Sequence, residues 1–197
     1  MKRSLFSGII AVAILVLMTG CGKLPQTQID AAKAAVEAAK TAQADIYAPA
    51  EFTQLQDSLN AALAEVEVQN SKFFKSFGDV TAKLEALVPT ATTVTETAGV
   101  KKEEVRVKTE ALIAEVNALV EENKGLITKA PKGKEGAAAL EEIKNEMTVI
   151  ETAMAEAATI FANGEFMAAH DKVMAVKENA TNINTELKEA IAKVTRR

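Results

Sequence analysis

The stretch that decides the fold is LEEIKNEMTVIETAMAEAATIF, Leu140 to Phe161. Its apolar residues are Leu140, Ile143, Met147, Ile150, Met154, Ala157 and Phe161, spaced by alternating steps of three and four. That spacing puts all seven on one stripe of a 3.6-residue helix, and a strand would need period-two alternation instead. Apart from Val149 and Ile160, the residues between them are Glu, Lys, Asn, Thr and Ala, which suit a solvated face. The segment therefore predicts a long amphipathic helix.

Working outward, the same pattern recurs along the chain. Towards the C-terminus, ANGEF breaks the stripe, and a last series follows: Phe166, Ala169, Val173, Val176, Ala180, Ile183, Leu187, Val194. Before it lies the polar loop KAPKGKEG, Lys129 to Gly136, and before that a stripe of Val105, Thr109, Leu112, Val116, Leu119, Asn123 and Leu126. The N-terminal half repeats the plan. Ile29, Ala32, Val36, Ala39 and Ile46 form one series, interrupted by Gln43. Phe52, Leu55, Leu59, Ala62, Val66, Gln69 and Phe73 form a second. Val80, Leu84 and Leu87 form a third, which stops at Pro89. The threonine-rich PTATTVTETAG, Pro89 to Gly99, reads as a linker. A helix over 52–77 would be about 39 Å long.

A shift of 88 residues lays the Phe52–Phe73 stripe on the Leu140–Phe161 stripe. The helix breakers correspond as well: YAP at 47–49 parallels KAP at 129–131, and FGDV at 77–80 parallels NGEF at 163–166. The expectation is an all-α protein, an elongated antiparallel helical bundle of two similar three-helix units in tandem. Unit 1 would cover 29–88 and unit 2 100–195, with a linker at 89–99. The alanine-heavy first helix buries the least area and should be the weakest element.

Composition agrees. Of 197 residues only 9 are Gly and 4 are Pro, the two residues that cost most in a helix interior. The net charge of −4 leaves no basic footprint for nucleic acid. His170 is the only histidine and Cys21 the only cysteine, so neither an imidazole-based site nor an intrachain disulfide has the residues it needs.

The cysteine has another use. Lys2 and Arg3 precede the apolar run LFSGIIAVAILVLM, Leu5 to Met18, and small residues follow. These are the parts of a secretory signal peptide, and a run of 14 falls short of the about 20 residues that span a bilayer. Met18-Thr19-Gly20-Cys21 resembles the lipobox of bacterial lipoproteins, with Met where Leu is usual. The resemblance implies a signal peptide over 1–20, cleavage between Gly20 and Cys21, and a lipid (diacylglycerol with further acylation, palmitate or its like) attached to Cys21. Gly22, in place of the Asp that retains enteric lipoproteins in the inner membrane, implies the outer membrane, facing the periplasm. Residues 21–28 then read as a tether. The mature body would carry 21 Lys and Arg against 27 Asp and Glu, a net charge of −6, so no electrostatic second anchor is expected.

Residues 31–87 resemble a bacterial envelope domain of unknown function, built as an Ala-rich helix, Y-A-P-x-E-[LF], a further helix, then G-[DE]-x-x-x-A. Here Tyr47-Ala48-Pro49-Ala50-Glu51-Phe52 and FGDVTAKLEAL carry the match, with Lys83 where Ala is usual. The hairpin AATIFANGEFMAAHDKV, 157–173, resembles a tetratricopeptide turn at Gly164, Phe166 and Ala169, but no 34-residue period follows, so no peptide-binding array is expected.

Candidate chemistry is thin. His170, with Glu156, Glu165 or Asp171 as partners, lacks any recognised metal spacing. Met147 and Met154 lie in a seam, and Met167 and Met174 one position off one, as gap-filling residues do. KKEEVRVK, 101–108, reads as a solvated face. No catalytic, cofactor-binding or metal-binding residues are expected, and no enzyme. The sequence supports a lipid-anchored structural or interaction protein of the envelope, with other envelope proteins or a second copy as partners. The alternative is a carrier or chaperone-like module that takes an apolar ligand or peptide between helices.

Overall fold

The computed structural model describes residues 22–131 and 134–195, without the side chains of 134–136 and 195. The described residues form six helices and no strand: α1 Gln26–Thr41, α2 Ala44–Tyr47, α3 Pro49–Ser71, α4 Gly78–Lys129, α5 Lys134–Ala162 and α6 Phe166–Thr195. The all-α helical bundle expected from the stripes is what the chain forms. The signal peptide, Gly20 and Cys21 lie outside the described residues.

The chain divides into two compact units. One takes the described residues up to Ala38 together with Thr53–Thr92; the other takes Ala39–Phe52 and the chain from Thr93. These differ from the halves read off the sequence, because the segment around the α1–α3 breaks packs with the second unit rather than the first.

In the first unit the core is Ile29, Ala32 and Val36 from α1, Leu55, Ala62 and Val66 from α3, and Val80, Leu84, Leu87 and Ala91 from α4. Each is a stripe residue or continues a stripe by one step. Gln28 donates to Glu85 (3.3 Å), linking α1 to α4, and Lys83 pairs with Glu65, linking α4 to α3. Phe77 is buried at the turn into α4 and fixes that loop.

In the second unit α5 packs along α6, and the core gathers Leu112, Val116 and Val120 of α4, Met147, Ile150 and Met154 of α5, and Val173, Val176, Ile183 and Leu187 of α6. Fully buried side chains of this size are each worth about 1.5–3 kcal/mol. They outweigh what the alanine positions contribute through close approach alone.

The clearest correction concerns Pro89–Gly99. This segment is helical rather than an irregular linker: it lies inside α4, which runs unbroken for 52 residues through Pro89, and the division between the two units falls within it, between Thr92 and Thr93. A proline inside a helix costs about 3 kcal/mol, because it lacks an N–H and crowds the preceding turn. The helix continues because its apolar stripe continues. Leu87 and Ala91 are buried in the first unit, and Val94 and Ala98 in the second. Thr90 and Thr92 donate their hydroxyls to the carbonyls of Ala86 and Val88, so these threonines are held within the helix. Tether and helix also meet earlier than expected: α1 begins at Gln26.

The α5–α6 turn shows local chemistry setting a boundary. Glu165 N–H bonds the Ile160 carbonyl (3.3 Å) and Gly164 N–H the Phe161 carbonyl (3.0 Å), the paired bonds of a Schellman C-cap. Gly164 sits at φ 82°, in the left-handed region that a Cβ disfavours. Replacing Gly164 with Ala should cost about 1 kcal/mol from this strain alone, because no atom crowds the position. Urea unfolding would read it as a lower midpoint at unchanged slope, and an unchanged midpoint would contradict the strain.

Candidate functional site

Of the residues expected to carry chemistry, Cys21 and Gly20 lie outside the described structure. His170 is half-buried, with Nδ1 3.5 Å from Asp171 Oδ1, its own neighbour in sequence. Glu156 is engaged by Lys172 across α5 and α6. Among the described residues, no three His, Cys, Asp or Glu side chains gather closely enough to hold a metal ion. Met147 and Met154 are buried in the second unit's core, while Met174 is 47% exposed.

The densest polar and aromatic cluster is one that sequence reasoning passed over. It forms where α1 ends. Gln43 takes a left-handed conformation (φ 62°), its N–H on the Lys40 carbonyl at 2.8 Å, and so stops α1 without a glycine. Ala48, before Pro49, has φ −139°, outside the helical range, as a residue preceding proline prefers. Pro49 opens α3 at the position where its missing N–H costs nothing. Between these two breaks Tyr47 and Ala48 are buried, as is Phe52 beyond them.

Lys102 of α4 reaches into this corner. Its Nζ donates to Gln43 Oε1 (2.7 Å) and lies 5.9 Å from the Tyr47 ring centre and 5.8 Å from that of Phe166. An ammonium within about 6 Å of an aromatic face is attracted by the ring quadrupole. The Phe161 ring lies 5.1 Å from that of Phe166 and extends the cluster. Beside it, Lys101 Nζ donates to Glu51 Oε1 at 2.8 Å. Tyr47, Glu51 and Phe52 of the Y-A-P-x-E-[LF] stretch therefore each have a packing or pairing role here. The cluster pins residues 43–52 to α4 and α6; it brings together no carboxylate, imidazole or thiol in a cleft. Gln43 was legible only as an interruption in a stripe, and nothing in the sequence pointed to Lys102.

A second polar feature lies deep between α4 and α6. Asn123 is fully buried. Its Nδ2 donates to the Ala180 carbonyl (2.8 Å), and its Oδ1 accepts from Asn184 Nδ2 (2.7 Å). No buried side-chain nitrogen or oxygen among the described residues lacks a partner.

Among the described residues no charged side chain is buried, and several are paired on the surface. The hydrogen bond from Lys101 holds the Glu51 carboxyl below its ordinary value, that from Arg106 does so for Glu103, and those from Lys188 and then Asn184 for Glu122. A carboxyl lowered on folding adds stability above its unfolded pKa and loses it as pH falls through the lower folded value. For these three the loss begins below the ordinary value of 4.5. All three are solvent-exposed pairs, so the effect should be small. The thermal midpoint should stay level between about pH 8 and pH 6 and decline only below about pH 4.5. A decline already under way near pH 7 would point to other groups.

No helix among the described residues is long and apolar enough to cross a membrane. No protein-family model, no curated protein and no solved structure matches this chain.

Proposed function

We propose that the protein is a lipid-anchored, non-catalytic component of a bacterial cell envelope. Cys21 carries the lipid, and the helical body offers surfaces to other envelope proteins or to a second copy. The observation that carries this reading is Met18-Thr19-Gly20-Cys21 placed directly after a 14-residue apolar run and a basic start. A core or redox cysteine needs no such placement, whereas lipoprotein processing does. Gly22 favours the outer membrane, with the body in the periplasm.

The described residues are consistent with a structural or interaction role. Asn123 and Asn184 pair α4 with α6, Met147 and Met154 fill a core, and His170 and Glu156 sit in surface pairs. The two halves are further proposed to be copies of one helix–break–helix–turn–helix plan. What supports this is the matching place of the breakers: Ala48 and Ala130, each before a proline, are both buried at a helix end, and the α3–α4 and α5–α6 turns hold the FGDV and NGEF motifs.

The test is labelled fatty-acid incorporation into the intact chain and into Cys21→Ala, with the acyl chains located by mass spectrometry on the N-terminal peptide.

A further inference from the structure

The first unit leaves its largest side chains in water at one end. Phe73 is 93% exposed and Phe74 86% exposed, on the loop between α3 and α4, their rings 5.0 Å apart and edge to face. The loop is not short of an apolar refuge, since Phe77, three residues on, is buried in the core of the same unit. Two phenylalanines thus point outward from a loop whose third phenylalanine anchors it. Leu24 and Val68 are also exposed, at 44% and 55%.

These four residues share an end of the first unit. Lys83, five residues into α4, pairs with Glu65, six residues before α3 ends, so the two helices run antiparallel away from the Phe73–Phe74 loop. Gln28, in the first turn of α1, donates to Glu85, seven residues into α4. The start of α1 therefore lies about 10 Å along α4 from the loop. Leu24 precedes that start by two residues, and Cys21 by five, a span of at most about 18 Å of chain. Charge follows the same geometry: exposed Lys72 and Lys75 flank the two phenylalanines, Lys75 also donating to Asn70, and Asp79 in the first turn of α4 is the acidic residue nearest the loop in sequence.

We propose that Lys72-Phe73-Phe74-Lys75 is a membrane-inserting tip, which seats the end of the first unit in the anionic lipid surface that receives the Cys21 acyl chains. The assignment rests on the lipid-anchor reading. Its chemistry is that of an interfacial contact: aromatic rings enter at the headgroup–acyl boundary, and flanking lysines stay at the level of lipid phosphates. A single acylated cysteine at the end of a tether fixes position but leaves the body free to swivel. A second contact at the same end removes that freedom and sets how far the body stands from the bilayer.

The chain contains no tryptophan, so one introduced indole is an unambiguous reporter. Full-length acylated protein carrying Phe74→Trp is reconstituted into vesicles of phosphatidylethanolamine and phosphatidylglycerol with bromine on a fraction of the acyl chains. Gln56→Trp, on an exposed site of α3 about 22 Å from its end, is the control. The expected result is blue-shifted emission with at least twofold quenching at 74, and neither at 56. Water-like, unquenched emission at 74 in protein that mass spectrometry shows to be acylated overturns the tip and leaves the lipid anchor standing. Blue-shifted emission at 74 that rises with protein concentration without vesicles, and is unquenched by them, also overturns it, in favour of a second copy. If the chain carries no acyl group, the anchor reading fails, and co-sedimentation of the unacylated chain with the same vesicles decides. Binding weakened at least tenfold by Phe73→Ser/Phe74→Ser supports the tip, and no binding overturns it.

Discussion

Under the proposed lipid anchor, replacing Cys21 with Ala is expected to abolish incorporation of labelled fatty acid and, once the leader is removed, to shift the body from the membrane to the soluble fraction. The size of the effect follows from counting methylenes. Each buried CH₂ contributes about 0.8 kcal/mol, so one chain binds only marginally, while two or three hold a protein on a bilayer through any wash. Cleaved before Cys21, the body would carry a net charge of −6, and the described residues include no spanning helix. The experiment needs care over the leader, because Leu5–Met18 left uncut could itself hold the chain at the membrane. Two forms of the chain separate the contributions. The intact Cys21→Ala chain reports labelling. Residues 22–197, exported behind a leader that ordinary signal peptidase removes, report fractionation. Labelling that persists without Cys21 would overturn the lipid-anchor reading. Soluble-fraction recovery without labelling after dilution and washing, against full membrane recovery of the native chain, is the expected pair of results; two phenylalanines alone bind weakly, and that binding shows only at the excess lipid of a vesicle assay. At that excess, a salt-resistant residue of membrane-bound 22–197 would measure what the Phe73–Phe74 tip contributes alone.

Much of the fold was legible because amphipathic stripes are a direct consequence of helix geometry. Fourteen residues show it in the last two helices alone: from Leu140 to Leu187, Leu140, Met147, Ile150, Met154, Ala157, Ala169, Val173, Val176, Ala180, Ile183 and Leu187 are buried, and only Ile143, Phe161 and Phe166 are partly exposed. The misreadings have particular causes. Pro89 and its threonines carry loop propensities, but propensity is a weak term against a stripe that continues through Ala91, Val94 and Ala98. Phe73 continued the second stripe by spacing, yet α3 ends at Ser71, and a residue past the helix end no longer shares its face. Ile46 failed for the same reason: Gln43 had already turned the chain. The Lys102 cluster was illegible because its partners, Gln43, Tyr47 and Phe166, come from three distant stretches, and only packing brings them together.

Asn123→Ala is expected to lower the unfolding free energy by about 2–3 kcal/mol, the cost of a buried donor left without its acceptor plus the space the amide vacates. Asn123 is the only asparagine in its stripe and sits among Val116 and Val120 of α4, facing Ala180 and Asn184 of α6. Removing it takes the acceptor from one N–H of Asn184 Nδ2, which donates to Asn123 Oδ1 at 2.7 Å, while the bond from Asn184 to Glu122 remains. An apolar pair should behave differently. In Asn123→Leu/Asn184→Leu no polar group is stranded, and stability should return to near the native value or above it. A polar pair at a seam position earns its place by fixing register, because any slip of α6 along α4 buries both amides unpaired, whereas leucines tolerate the slip. Two ion pairs bracket the site, Lys177 with Glu115 (2.6 Å) and Lys188 with Glu122 (2.8 Å), and these are exposed and individually worth little. The double variant should therefore unfold at a similar or higher urea midpoint but with a shallower slope, as a native state of mixed registers would. A single substitution costing under about 0.5 kcal/mol would show that the buried amides are not coupled. A double variant with the native slope would show that the flanking stripes, not the asparagines, hold the register.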